Sequence, residues 1–177
     1  MWKRIQTSLK HRWMDGSDTR RAIGPDVLAR LTGRVAASEG RHSGEIRIFV
    51  EASLPMAYLW RHLRHNTAME VLTRERAVAV FGELRVWDTE QNNGVLVYLL
   101  LAERKIELVA DRGLNHVVSQ GDWGGMVKRM GTAFAAGRFE DGLMQALEEL
   151  SAPLVQYFPL QPGAPNTNEL PDAPELG

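Results

Sequence analysis

Cysteine is missing from all 177 residues. That excludes disulfides, thiolate zinc sites and cysteine nucleophiles, and it fits a reducing compartment. Net charge is nearly missing too: 21 Lys and Arg against 22 Asp and Glu leave −1, so the whole molecule carries no field for nucleic acid. Long apolar runs are also lacking. The longest, Gly94 to Ala102, is about half of what a membrane-spanning helix needs. The N-terminal MWKRIQTSLKHRWM has no continuous apolar core of a signal peptide. Together these absences read as a cytoplasmic chain without a spanning segment. Familiar catalytic patterns are wanting as well. There is no GxSxG elbow, and GDWGGM at Gly121 to Met126 is not followed by Gly-Lys-Ser/Thr. His62 and His65 have no third histidine nearby to complete a zinc site.

What is present is the 44% hydrophobic content of an ordinary globular chain, enough for one buried core. Trp2, Ile5, Leu9 and Trp13 fall at helical spacing among Lys3, Arg4, Lys10, His11 and Arg12, a basic amphipathic helix. Through Arg21 this segment has six Lys and Arg against Asp15 and Asp18. Gly24-Pro25 opens a helix with Val27, Leu28, Leu31 and Val35 on one face. EIRIFVEA, residues 45–52, alternates as a strand does. Residues 53–66 read as a loop or short helical turn, with Tyr58 and Trp60 exposed. Thr67 to Glu70 reads as a capping box for a helix through Val71, Leu72, Val78 and Phe81. Two adjoining strands follow, Val95 to Leu101 and Lys105 to Ala110. A helix marked by Trp123, Met126, Met130 and Phe134, with Asp122 as its cap, stops at Gly137. The last helix, Phe139 to Leu154, is expected to kink or split at Pro153. The proline-rich, acidic residues 160–177 are expected to be disordered. The element order predicts an α/β fold: helices on both faces of a small mixed sheet, a three-layer sandwich.

The stretch WDTEQNNGVLVYLLLAERKIELVADRG, Trp87 to Gly113, keeps its acids and amides at its two ends. A turn centred near Glu103 brings Asp111 opposite Gly94 or Val95, beside Asn92 and Asn93. The strand starting at Glu45, parallel to the one starting at Val95, begins on the same rim. Glu45, Asp88, Asn92, Asn93 and Asp111 are therefore expected to converge. These are hard oxygen donors without imidazole, which suits Ca²⁺ or Mg²⁺ rather than zinc or copper. Arg112 beside them is placed to hold a phosphate oxygen. The bland alternative is that both ends are simply turns.

The chain resembles the TPM domain family. The resemblance lies in NNGVLVYLLL, the following KIELVADRG, the later FAAGRFEDGL and the closing YFP at Tyr157 to Pro159, with EIRIFVEA and the helix before WDTEQNNG in their usual places. It covers roughly residues 25–159 and leaves residues 1–24 and 160–177 outside. It implies an α/β/α sandwich, divalent-cation binding, a modest acid-phosphatase-type activity, and work in the upkeep of membrane complexes. In the family an Asp or Asn stands before the glycine of the strand entry. Here it is Asn93, which supplies one negative ligand fewer.

Two functions follow as expectations. One is a cation-binding module that engages a protein partner, with residues 1–24 and the tail as arms of opposite charge. The other is a metal-assisted phosphohydrolase using Glu45, Asp88 and Asp111 for the metal and Arg112 for transition-state charge. The basic segment, residues 2–13, has two placements: against its own domain, or on an anionic membrane surface or partner. Nucleic acid is not expected as a partner.

Overall fold

The computed structural model describes residues 10–160 and 167–177. After a helical turn at residues 10–13, helices α1 (Gly16–Ala22) and α2 (Pro25–Glu39) lead into strand β1 (Ile46–Glu51). Helices α3 (Met56–His65) and α4 (Met69–Glu83) then cross over to β2 (Val95–Leu100). Strand β3 (Lys105–Ala110), helices α5 (Arg112–Val117), α6 (Gln120–Ala135) and α7 (Phe139–Tyr157), and the short strand β4 (Glu175–Leu176) complete the order. The sheet runs β3-β2-β1-β4; β1 is parallel to both β2 and β4, and β3 is antiparallel to β2.

β1 and β2 are buried at every residue, as strands covered on both faces should be. Ile46, Ile48 and Val50 join Val95, Val97 and Leu99 in a core closed by α2, α6 and α7 through Leu31, Met130, Phe134 and Leu147. Phe49, Leu96, Tyr98 and Leu100 face the other way, under Leu59 of α3 and Leu72, Ala77 and Val80 of α4. The expected α/β/α sandwich with a small mixed sheet is the fold observed. Within the second layer, the Tyr98 hydroxyl donates to Glu51 Oε2 at 2.5 Å, and Arg76 grips the same carboxylate at 3.0–3.1 Å. Glu51 is thus a buried charge made tolerable by partners.

Several local expectations differ from the structure. Residues 53–66 contain the helix α3, which starts after Pro55 and ends at Asn66 in the left-handed region, φ 61°. His62 is buried, with Nδ1 at 2.7 Å from the Thr67 carbonyl oxygen. No capping box forms at α4, whose Ala68 N-cap has no side-chain bond; Glu70 pairs with Lys105 instead. At α6 the cap is Ser119, whose Oγ accepts from Asp122 N–H. Pro153 neither splits α7 nor ends it, because that turn is held between neighbours by buried Leu150 and Leu154. The basic-helix reading of residues 2–13 lies largely outside the described residues; of its face only Trp13 is described, and it is exposed.

The tail is the larger correction. Residues 167–177 are not disordered but lie along the free side of β1. Gly177 N–H donates to Val50 O at 2.9 Å. Arg47, itself buried, donates to the carbonyls of Pro171 and Ala173 at 2.6 Å and to Glu175 at 2.8 Å. Leu170 is buried in the second core. Composition understates this segment because its hold comes from backbone groups, the Arg47–Glu175 ion pair and a few apolar contacts, Leu170 in the second core and Leu176 against the first. At the opposite edge, Arg74 and Asn115 donate to the outward carbonyls of Leu108 and Ala110 on β3.

Leu170→Ala should therefore cost about 2 kcal/mol, the low end for a buried leucine, and lower the melting midpoint by about 4–8 °C. Removing residues 167–177 should cost at least as much, since Arg47 and Glu45 lose their partners. A thermal melt of either variant within about 2 °C of the parent, roughly the effect of half a kcal/mol or less, would contradict the docked tail.

Candidate functional site at the strand-entry rim

The rim is built by backbone geometry. Val95 N–H donates to Glu45 O at 2.8 Å, so the β1 and β2 entries are neighbours. Asp111 N–H donates to Gly94 O at 2.9 Å, and Gly113 N–H to Asn92 O at 2.9 Å, which brings the β3 exit alongside. Two glycines are demanded by close approach: a Cβ at Gly94 would lie 2.0 Å from Val86 O, and one at Gly113 2.5 Å from Asn92 O. Asn92 takes the left-handed conformation, φ 52°, that asparagine tolerates. The pairing of Asp111 with Gly94 is the one expected from the hairpin.

The side chains converge less completely. Asn93 is fully buried; its Nδ2 donates to Ser43 O at 3.0 Å and its N–H to Thr89 Oγ1 at 3.1 Å. Asp111 caps α5, with Oδ1 accepting from Arg112 N–H at 2.7 Å. The Arg112 guanidinium donates to Asn92 Oδ1 through Nε at 2.8 Å and Nη2 at 2.6 Å, so Asn92 is engaged. Asp88 stands apart in an exposed pair with Arg85 at 2.5 Å. Glu45 is buried and turned to the tail, accepting from the N–H groups of Glu169 at 3.3 Å and Leu170 at 3.1 Å. Among the described residues no group of three or more His, Cys, Asp or Glu is arranged to hold a metal ion.

Two oxygens remain. Among the described residues, buried side-chain polar atoms without a hydrogen-bond partner are Asn93 Oδ1, Asp111 Oδ2 and Trp123 Nε1. Two of these three sit at the rim, and both are hard oxygen donors on neighbouring strand ends. Such groups are uncommon in a folded protein and call for a reason.

Beside the rim lies a carboxyl pair that the sequence pattern did not single out. Glu39, at the end of α2, accepts from Ile46 N–H at 2.9 Å. Burial pushes its carboxyl up to about 8, with the charges of Glu45 and Asp172 adding to the effect and a side-chain hydrogen bond joining it to Asp172. Protonated Glu39 thus ties the tail to the entry of β1. Burial also raises Glu45, against the two N–H donors it accepts. Below α2, burial holds His42 down to about 4; its Nδ1 lies 3.0 Å from Gly44 O and its Nε2 2.9 Å from Ser38 Oγ. The clue to Glu39 in the sequence was its spacing before the HSG turn, which aims it back at the strand entry.

The sign of the pH effect follows. A carboxyl raised in the folded state contributes stability that is full below its unfolded value of 4.5 and lost as pH rises through about 8. The parent should lose stability across that window, and Glu39→Gln should flatten the loss, giving midpoints that differ by a few degrees at its upper end. His42 acts oppositely, its contribution disappearing as pH falls from 6.5 through about 4 in both proteins. Thermal melts across pH check this; parallel curves for parent and Glu39→Gln would contradict it.

Among known proteins, a family model for the TPM domain matches residues 17–152. The BA42 protein from the psychrophilic bacterium Bizionia argentinensis sp. nov., solved by NMR, is similar in structure with a TM-score of 0.72 at 25% identity, covering 88% of this chain and 95% of that one. No curated protein matches the chain. A model that spans most of the chain, together with a solved structure that overlies nearly all of it, makes this protein a member of the TPM domain family.

Proposed function

We propose that the rim binds one divalent cation, Ca²⁺ or Mg²⁺, and that the domain acts through a protein partner, in keeping with the family's association with the upkeep of membrane complexes. The observation that carries this reading is the pair of partnerless oxygens, Asn93 Oδ1 and Asp111 Oδ2. A carboxylate oxygen out of contact with water and hydrogen bonds is costly, and a cation would relieve it. Asn93 and Asp111 would be its side-chain ligands, with backbone carbonyls and water completing the roughly six to eight oxygens that Ca²⁺ takes. Asn92, Asp88 and Glu45 keep their present partners. With one carboxylate at the centre, the expected affinity is modest.

The phosphohydrolase reading stands second. Its support is Arg112, an exposed guanidinium whose side-chain acceptor among the described residues is Asn92 Oδ1. A phosphate oxygen would compete for it. Hydrolysis of a generic aryl phosphate that stops with chelator and with Arg112→Gln would favour this activity.

Cation at about a hundred times its dissociation constant adds roughly 2.7 kcal/mol to native stability, a rise in midpoint on the order of 5–10 °C. Asp111→Asn should abolish the rise while keeping the α5 cap, because asparagine caps as well as aspartate. Asp88→Asn, which touches only the Arg85 pair, should respond like the parent. A parent that does not respond to millimolar Ca²⁺ or Mg²⁺, or an Asp111→Asn that responds equally, would leave the rim as two turns.

A further inference from the structure

At the end of β1 remote from the rim, α3 carries a face that nothing described covers. Met56, Trp60 and Leu63, spaced i, i+4, i+7, line one side of this helix and are 62, 58 and 41% exposed. The opposite side is anchored, by Leu59 in the second core and by His62. Between the apolar stripe and the anchored side lie Arg64, Arg61 and His65, all exposed. Residues 53–68 hold two arginines and no acid, in a molecule of net charge −1. Arg61 is paired with Glu75 at 2.5 Å, whereas Arg64 makes no ion pair among the described residues. Contiguous large apolar side chains on an outer helix face, next to the unpaired Arg64, mark a surface that something receives.

The neighbouring turn extends the same chemistry. Leu54 N–H donates to His11 Nδ1 at 3.1 Å, so the proton of that ring sits on Nε2, which meets Glu103 Oε1 at 3.1 Å. His11 thereby pins residues 10–13 two residues ahead of the α3 start. Trp13 follows His11 by two residues, about 200° around the helix, and is 83% exposed. Lys10 and Arg12 beside it are exposed as well.

We infer that this surface, the outer face of α3, lies on an anionic lipid bilayer. The arrangement matches an interfacial helix: an apolar stripe with tryptophan, cations flanking it, and no acid within it. Charge complementarity selects the occupant, because Arg64 next to the stripe, free of any ion pair among the described residues, suits lipid phosphates and the negative surface they create. Tryptophan favours the headgroup level, where its ring is apolar on one side and its N–H is wet. No helix among the described residues is long and apolar enough to cross a membrane, so the contact is peripheral.

Flotation with vesicles of phosphatidylcholine plus phosphatidylserine, against phosphatidylcholine alone, tests the inference. The full chain should float with the anionic vesicles at low salt and be released by high salt. Arg64→Gln should weaken the partition about fivefold, as expected for one cation near a charged surface. The double variant Trp60→Ser, Leu63→Ser should weaken it about tenfold or more through lost apolar burial. Both should melt like the parent, since the altered side chains are exposed. Quenching of tryptophan emission by brominated lipid should fall in Trp60→Phe. No flotation at low salt overturns the inference, as does equal flotation of the parent and the double variant. Concentration-dependent dimers that disappear in the double variant, without flotation, would assign the face to a second copy instead.

Discussion

The parallel pairing of β1 with β2, in register from Ile46 with Val95 to Glu51 with Leu100, is the constraint on which the remaining structure rests. Two six-residue strands buried on both faces supply the central hydrophobic slab. Parallel strands cannot be joined by a tight turn, so the chain crosses over through α3 and α4, and that crossover makes the second helical layer. The same direction places both strand entries at one end, where β3 returns to meet them. Rim and layers are thus consequences of one pairing.

Much of this was legible. A hairpin turning near Glu103 must bring Asp111 beside Gly94, and counting residues is sufficient to see it. Side-chain fates were not legible. Asp88 is taken by Arg85 three residues away, across a turn in which Arg85 has φ 54°. Glu45 is taken by backbone N–H groups 124 and 125 residues downstream. No local pattern announces either. α3 was blurred for a related reason: its apolar residues lie on both the buried and the exposed sides, so no single stripe emerges from Met56 to His65.

Composition misled most in the tail. Proline, acid and few hydrophobics do describe a segment unable to build a core of its own. They do not exclude one that borrows a core. Leu170 enters an existing cluster, Arg47 reaches out to two carbonyls, and Gly177 joins β1 through two backbone bonds. The cost of ordering a segment falls on the whole segment, whereas the gain is concentrated at these three points.

The cover that the tail gives the free side of β1, and that side chains give the outer side of β3, has a consequence for recognition. On β1, the Glu39 carboxyl occupies Ile46 N–H, and Gly177 occupies Val50 O and Ala52 N–H. On β3, the outward carbonyls of Leu108 and Ala110 are held by Arg74 and Asn115. A peptide seeking to add itself as a further strand would have to displace those groups first. Strand addition reads backbone and is tolerant of sequence. With those positions obstructed, helix faces and loop side chains are the more open surfaces for recognition, and there discrimination between partners is finer.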